Sequence, residues 1–425
     1  MTNKTFSIIL TFIIGVVLIG TFGGVNAIAA EKNKPIIVGA PVPRASAYGQ
    51  SGERGMILAA EEINAAGGIN VNGIMRPIKL EIIDSRDEEP GVPTSSVLLA
   101  IEKLILQKDS DVIVGGPVMS ECGIAAMDLY ARYKIVDIVS IGCLTPSWEG
   151  KVAQNPKKYR YSFKVSGNVK WYIKEALDLL HQIKRDYGFN KMYISIDDSL
   201  MCRKASSIVE KLAQKDGWKI VGKDKHPIGS TDYSVGLKEV KDSGSQVLFM
   251  WAYAPETSIM LKQWANMEIP ALPIGFIGAA EDPDFWEKTK GKGAYTIVNL
   301  TETGTIPTKA IPRAMTFFQA FTKRWDTVPR SHQAASAYES LYILKDAVER
   351  AGSLEDDALI QSLENTNLPT VQGTARFNKN HQIIYGYDPN KSLLGCWAQW
   401  QNAKRVQIFP DAAATGEIKM PPWLK

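Results

Sequence analysis

Apolar residues along this chain switch between two periods. Short apolar runs at Pro35–Ala40 (PIIVGA), Ile78–Ile83 (IKLEII), Asp111–Gly115 (DVIVG) and Ile135–Ile141 (IVDIVSI) read as strands. Between them, apolar positions recur three and four residues apart. Met56, Ala59, Ala60 and Ile63 share one helical face, Val97, Leu98, Ile101, Leu104 and Ile105 another, and Ser120–Tyr133 forms a third helix. The first of these stops at Asn64-Ala65-Ala66-Gly67-Gly68, where glycine ends a helix readily. Strands that are apolar on both faces, alternating with amphipathic helices, predict a parallel sheet covered by helices on each side.

The rhythm pauses over the polar stretch Thr145–Lys158 and then resumes. Helices are expected over Lys170–Tyr187, Ala205–Gln214, Ser234–Lys241 and Glu256–Asn266, and strands over Met192–Ile196, Lys219–Gly222, Gln246–Met250 and Leu272–Ile277. Further helices follow at Ile311–Trp325, Ala335–Ala351 and Leu354–Glu364. Thr374–Phe377 and Leu393–Phe409 have the character of β-hairpins. The expected fold class is α/β: two doubly wound parallel-sheet lobes joined by a multi-strand hinge, with a ligand cleft between them. Candidate crossings lie near Phe163–Asn168 and Thr296–Thr301. Residues 31–165 plus 300–372 are assigned to the first lobe, and 166–299 plus 373–425 to the second.

The first thirty residues are a different material. Lys4 precedes an apolar run from Phe6 to Gly20, and small residues ending in Ala27-Ile28-Ala29-Ala30 follow. This is the layout of a cleaved secretory signal, with a mature chain starting near Ala30 or Glu31 and residing in the periplasm. A membrane anchor is the alternative, and its apolar run is long enough only if Thr21–Val25 is included. No later segment reaches ~18 uninterrupted apolar residues. With 45% hydrophobic and 22% charged residues, disorder is excluded. The net charge of +4 comes from dispersed basic residues, so no nucleic-acid partner is expected.

Catalytic motifs are absent: there is no GxSxG elbow, no HExxH and no GxxxxGK[ST] loop. The four histidines are isolated from one another, and the four cysteines, spaced by 21, 59 and 194 residues, form no metal knuckle. No metal and no cofactor are expected. Asp84-Ser85-Arg86-Asp87-Glu88-Glu89 is acidic enough to raise calcium binding, but it lacks the spacing and central glycine of an EF-hand loop and reads as a polar turn. Ligands of open parallel sheets bind beyond the carboxyl ends of the strands. The residues there are Gly116-Pro117-Val118-Met119-Ser120-Glu121, Gly142-Cys143-Leu144-Thr145 and Trp251-Ala252-Tyr253. Ser120 is expected at a helix N-cap, where it serves either as a plain cap or as part of an anion site. Tyr48 and Tyr253 are placed to face one cleft from opposite lobes.

These stretches carry a resemblance. IIVGAPVPRASAYGQSGERGMILAAEEINAAGGI, IKLEIIDSRDEEP, VIVGGPVMSECGIAA, IVSIGCLTPSWEG and VLFMWAYAPE are similar, in order and spacing, to exported solute-binding proteins of ABC transporters. The type is the branched-chain amino acid and amide binders, which are type I periplasmic binding proteins. The resemblance implies ligand-binding roles for Tyr48, Ser120, Gly142, Met201 and Tyr253, and the loops that carry these add Met119, Cys143, Leu144 and Gly278 as candidate ligand-binding residues. Ser120 matches a carboxylate-binding serine and Gly142 a backbone contact to the same carboxylate. Two departures stand out. Leu144 occupies the slot of a ligand-binding threonine, with Thr145 one place late. Ile277-Gly278-Ala279-Ala280 occupies the stretch of the acid that pairs a ligand ammonium. Glu281, Glu121 or Asp198 substitutes for that acid, or the ligand is not an α-amino acid. The family's cysteine pair is missing, and Cys122 with Cys143 is the alternative pairing.

The resemblance implies a monomeric receptor, not an enzyme. It would capture an amino acid, amide or aromatic carboxylate and deliver it to membrane permease subunits. From the two departures, branched-chain amino acids are expected to bind weakly and a less zwitterionic solute to be preferred. The competing readings are an exported α/β hydrolase and a sensory ectodomain working with a separate signalling chain.

Overall fold

Why the sheets are parallel is visible in which strands are buried. The computed structural model describes residues 34–300 and 305–424. The leader expected over residues 1–30 and its cleavage point lie outside the described residues. The first lobe opens with β1 (Ile36–Val42), α1 (Ala47–Ala65), the small hairpin β2 (Ile69–Val71) and β3 (Ile74–Arg76), then β4 (Ile78–Asp84) and α2 (Thr94–Leu106). It continues through β5 (Val112–Gly115), α3 (Ser120–Tyr133), β6 (Asp137–Val139), α4 (Pro146–Gln154) and β7 (Ser162–Lys164). The strand order is β4-β1-β5-β6-β7, all parallel. β5, β6 and β7 are buried throughout, the edge strand β7 being covered in part by a bridge from Lys164 to Gln382, whereas the opposite edge strand β4 is half-buried.

The chain then crosses to α5 (Val169–Tyr187), β8 (Lys191–Asp197), α6 (Leu200–Lys215), β9 (Lys219–His226), α7 (Ser234–Asp242), β10 (Val247–Ala252), α8 (Thr257–Asn266) and β11 (Leu272–Ile277). Two single-turn helices, α9 (Gly278–Glu281) and α10 (Phe285–Lys288), and β12 (Ile297–Asn299) complete that run. Next come α11 (Pro312–Trp325), α12 (Gln333–Ala351), α13 (Asp356–Glu364) and the two-residue strands β13 (Leu368–Pro369), β14 (Thr374–Ala375), β15 (Tyr385–Gly386) and β16 (Leu393–Leu394). The chain ends with the hairpin β17 (Trp397–Gln401) and β18 (Lys404–Phe409). The second sheet has the order β18-β17-β12-β11-β10-β8-β9; β17 runs antiparallel to β12, and the hairpin thereby extends a parallel sheet.

α12 lies against α1 over the first sheet, and Phe317, Phe321, Ala334, Leu341, Leu344 and Leu363 join Val38, Ala40 and Met56 in one core. Helices late in the sequence therefore return to the first lobe. The lobe boundaries move, however. Val371, Ala375, Phe377, Ile383, Tyr385 and Leu393 belong to the first-lobe core, so residues 373–393 do not join the second lobe. Leu300 and Ile311, assigned to the first lobe, pack in the second. The reason is that a third crossing follows β16, and the sequence pattern marks only two. All four cysteines are free thiols; Cys122 and Cys143 sit in different core clusters and do not pair. Among the described residues no helix is long and apolar enough to cross a membrane.

Candidate functional site

The loops after β1, β4, β5 and β6 of the first lobe and after β8, β10 and β11 of the second supply the candidate site. Tyr48 stands in the first turn of α1. That turn is fixed by Ser46, whose hydroxyl accepts from the Gly49 N–H at 3.0 Å. Its ring lies 5.8 Å from the His332 ring at the start of α12. Burial pushes the Tyr48 phenol well up, and Glu281, Glu88 and Tyr253 push it further. Tyr253 comes from the second lobe, so two tyrosines from opposite lobes stand within electrostatic reach of one another.

Tyr253 is held by its own lobe. Asp197, buried at the end of β8, accepts the backbone N–H groups of Tyr253 and Ala254 through one oxygen, both at 2.8 Å. The Gly278 backbone packs on the Tyr253 backbone, where a Cβ at 278 would lie 2.8 Å from the Tyr253 carbonyl oxygen. Gly278 thus shapes the wall by close approach. Met201 is anchored beside it, its sulfur accepting from the Trp251 indole at 3.2 Å. Asp197→Ala leaves two amide N–H groups without their acceptor. It is expected to lower the free energy of unfolding by about 2 kcal/mol, read by urea denaturation, and to loosen the Tyr253 wall.

The first-lobe wall differs from expectation in several places. Met119, not Ser120, is the N-cap of α3, and it makes no side-chain cap bond; Ser120 is the first helical residue. The Met119 N–H donates to Asp87 at 2.7 Å, so a carboxylate from the neighbouring loop already sits at this helix start. Gly142, expected to offer its amide to a ligand, donates it to Gln333 Oε1 at 3.2 Å, and its carbonyl accepts from the Ser166 hydroxyl at 2.6 Å. Cys143 does not line the cleft. Its side chain is fully buried among Met127, Val139 and Trp148, and burial pushes its thiol up to about 11. Leu144 is half-buried and packs against the second-lobe core at the first crossing. Thr145 caps α4 by accepting from the Ser147 N–H at 3.2 Å.

Of the three acids considered as ammonium partners, two have other work and the third is exposed. Glu281 is buried and accepts from the His332 N–H at 2.8 Å and contacts its Nδ1 at 2.9 Å. Arg405 donates to the Glu281 carbonyl at 2.6 Å and lends positive charge. Asp198 is paired with Arg203 and Lys225, and Glu121 is exposed. A different carboxylate reaches the cleft. Glu88 lies in the loop after β4. Burial pushes its carboxyl up to about 7, against a lowering contact from the Ser46 hydroxyl. Its charge acts on both Tyr48 and Tyr253. The sequence reading missed it because it treated this loop as a solvated turn. The loop's other carboxylates brace the backbone or pair at the surface, a use that argues against calcium. Asp84 accepts from the Arg44 and Arg86 N–H groups, Asp87 from Ser85 and Met119, and Glu89 pairs with Arg86.

The hydrolase reading needs a serine and an acid on different nitrogens of one histidine. Ser195, His226 and Asp224 come together on β8 and β9, but the Ser195 hydroxyl at 2.8 Å and Asp224 at 3.4 Å both approach Nε2. A surface hollow of about 520 Å³ beside Ser147, Lys151, Gln154 and Lys158 lies on α4 and its following loop, outside this site.

A family model described as periplasmic binding protein matches residues 13–388. A Leu/Ile/Val-binding protein homolog of Brucella melitensis is 22% identical over 384 residues, covering 87% of this chain and 89% of that protein. A branched-chain amino acid transporter substrate binding protein from Streptococcus pneumoniae, solved with isoleucine, superposes with a TM-score of 0.68 at 19% identity, covering 88% of this chain and 100% of that one. A solute binding protein of an ABC transporter from R. palustris, solved with benzoate, gives 0.69 at 14% identity, covering 90% and 98%.

Proposed function

Because the chain belongs to the periplasmic binding protein family, we propose that it is an exported, monomeric receptor of an ABC importer. It captures an amino acid, amide or aromatic carboxylate between its lobes and hands it to membrane permease subunits. The family and its solved relatives are solute-binding proteins, not enzymes. One observation supports the assignment to the cleft: Tyr253, on a second-lobe loop, lies close enough to the first-lobe Tyr48 to raise its phenol. Their rings and Met201 suit a flat or apolar body, and the backbone N–H groups of the first turn of α3 beyond Met119 suit one acceptor end. Lobe closure around a solute buries it and forms the surface that a permease reads.

Thermal shifts of the chain from residue 31 onward test this across amino acids, short amides and aromatic carboxylates. At least one class is expected to raise the melting temperature saturably, and the Tyr253→Ala variant is expected to lose that shift. Turnover of an ester or amide in the same panel would replace the receptor reading with the hydrolase one.

A further inference from the structure

One carboxylate oxygen of Glu88 is held out of solvent without a matching donor. This atom, Oε2, is buried and has no hydrogen-bond partner, although the neighbouring loop atoms are satisfied. The loop that carries it is pinned at both flanks. The Ser85 N–H donates to the Val42 carbonyl at 3.0 Å, the Ser85 hydroxyl donates to Asp87 at 2.5 Å, and Asp87 accepts the Met119 N–H. These bonds fix the backbone that carries Glu88 against the start of α3. A buried carboxylate without a partner is costly in the free protein, and a charge-assisted hydrogen bond from a bound molecule removes that cost. The acid at the end of β11, Glu281, is unable to serve in its place because His332 holds it.

We propose that Glu88 is a specificity-determining residue of the cleft, accepting a hydrogen bond from an N–H group of the solute, an ammonium or an amide. The proposal rests on the receptor reading and narrows its substrate class. It also reverses the expectation that a zwitterion is disfavoured, since Glu88 supplies the carboxylate that the loop after β11 does not. An N–H donor and an acceptor end fit together because the Glu88 loop is tied to the start of α3.

The test is isothermal titration with matched pairs that differ in the N–H group: leucine and 4-methylpentanoate, propanamide and methyl propanoate, 3-aminobenzoate and benzoate. The wild-type chain is expected to bind the N–H member of at least one pair tenfold or more tighter than its partner. Glu88→Ala should reduce that preference below threefold. Glu88→Gln keeps the shape, removes the charge, and should raise the melting temperature of the ligand-free protein while weakening the ammonium ligands most. Glu89→Gln, on the surface partner of Arg86, should change neither. Wild-type preference for the N–H-free members, or a preference untouched in Glu88→Ala, would overturn the proposal and leave the receptor reading standing. Absence of binding by all six compounds would overturn the Glu88 proposal and leave the receptor reading to the wider thermal-shift panel.

Discussion

Gly142→Val is expected to lower the free energy of unfolding by about 4 kcal/mol. Gly142 has φ +75°, a region that side chains with a Cβ rarely adopt. A Cβ there would lie 2.5 Å from the Val118 Cα and 2.7 Å from the Val118 carbonyl oxygen. Both are backbone atoms, so no flexible side chain can yield. The next residue compounds the strain, because the Cys143 N–H donates to that same Val118 carbonyl at 2.8 Å. The substitution also displaces the Gly142 N–H from Gln333 and its carbonyl from Ser166. Gly150→Ala is the control. Gly150 lies inside α4 with nothing within 4 Å of the added methyl, so this change should be neutral or stabilise by up to ~1 kcal/mol. Urea unfolding of the two variants beside the wild type separates them, and equal stability would show that the turn after β6 tolerates a side chain.

Glu281→Ala has the second large effect, about 3 kcal/mol of lost stability. The change leaves the buried His332 N–H and Nδ1 without their acceptor. It also loosens the chain His332–Gln333–Gly142 that links α12 to the turn after β6. Glu281→Gln keeps an acceptor for the His332 N–H and should cost less than half as much. The two measurements to compare are unfolding free energy and ligand affinity. A bracing role predicts that stability falls in step with the loss of the acceptor, while affinity changes modestly in Glu281→Gln. A role as the ammonium partner predicts the opposite: a stable variant that no longer binds. The outcome therefore also bears on Glu88, because only one of the two carboxylates is free to meet a solute.

The strands and helices were legible because their patterns are local. Ser120–Tyr133 is a helix with the bounds its apolar spacing gives, and the hairpin expected within Leu393–Phe409 forms from β17 and β18. The loops that carry Tyr48 and Tyr253 were singled out from where ligands sit on parallel sheets. What failed to show was everything set by contacts distant in sequence. Gln333 takes the Gly142 amide across 191 positions, and His332 takes Glu281 across 51. Neither residue type announces such a bond. Glu88 was hidden for a related reason: its inward aim depends on Ser85, Asp87 and Met119 meeting. An acidic run alone cannot distinguish the one carboxylate that turns inward from those that brace the loop or pair on the surface. The third lobe crossing escaped notice because β13 to β16 are two residues each, too short to leave a period.

The central claim is that the junction between the lobes holds a small solute. A crystal structure of the chain from residue 31 onward with the compound that gives the largest thermal shift tests it most directly. The predicted result is one solute between Tyr48 and Tyr253, an acceptor oxygen at the start of α3 and a donor toward Glu88. A solute bound elsewhere on the protein, with Tyr48 and Tyr253 in contact with nothing but the protein, would contradict the account.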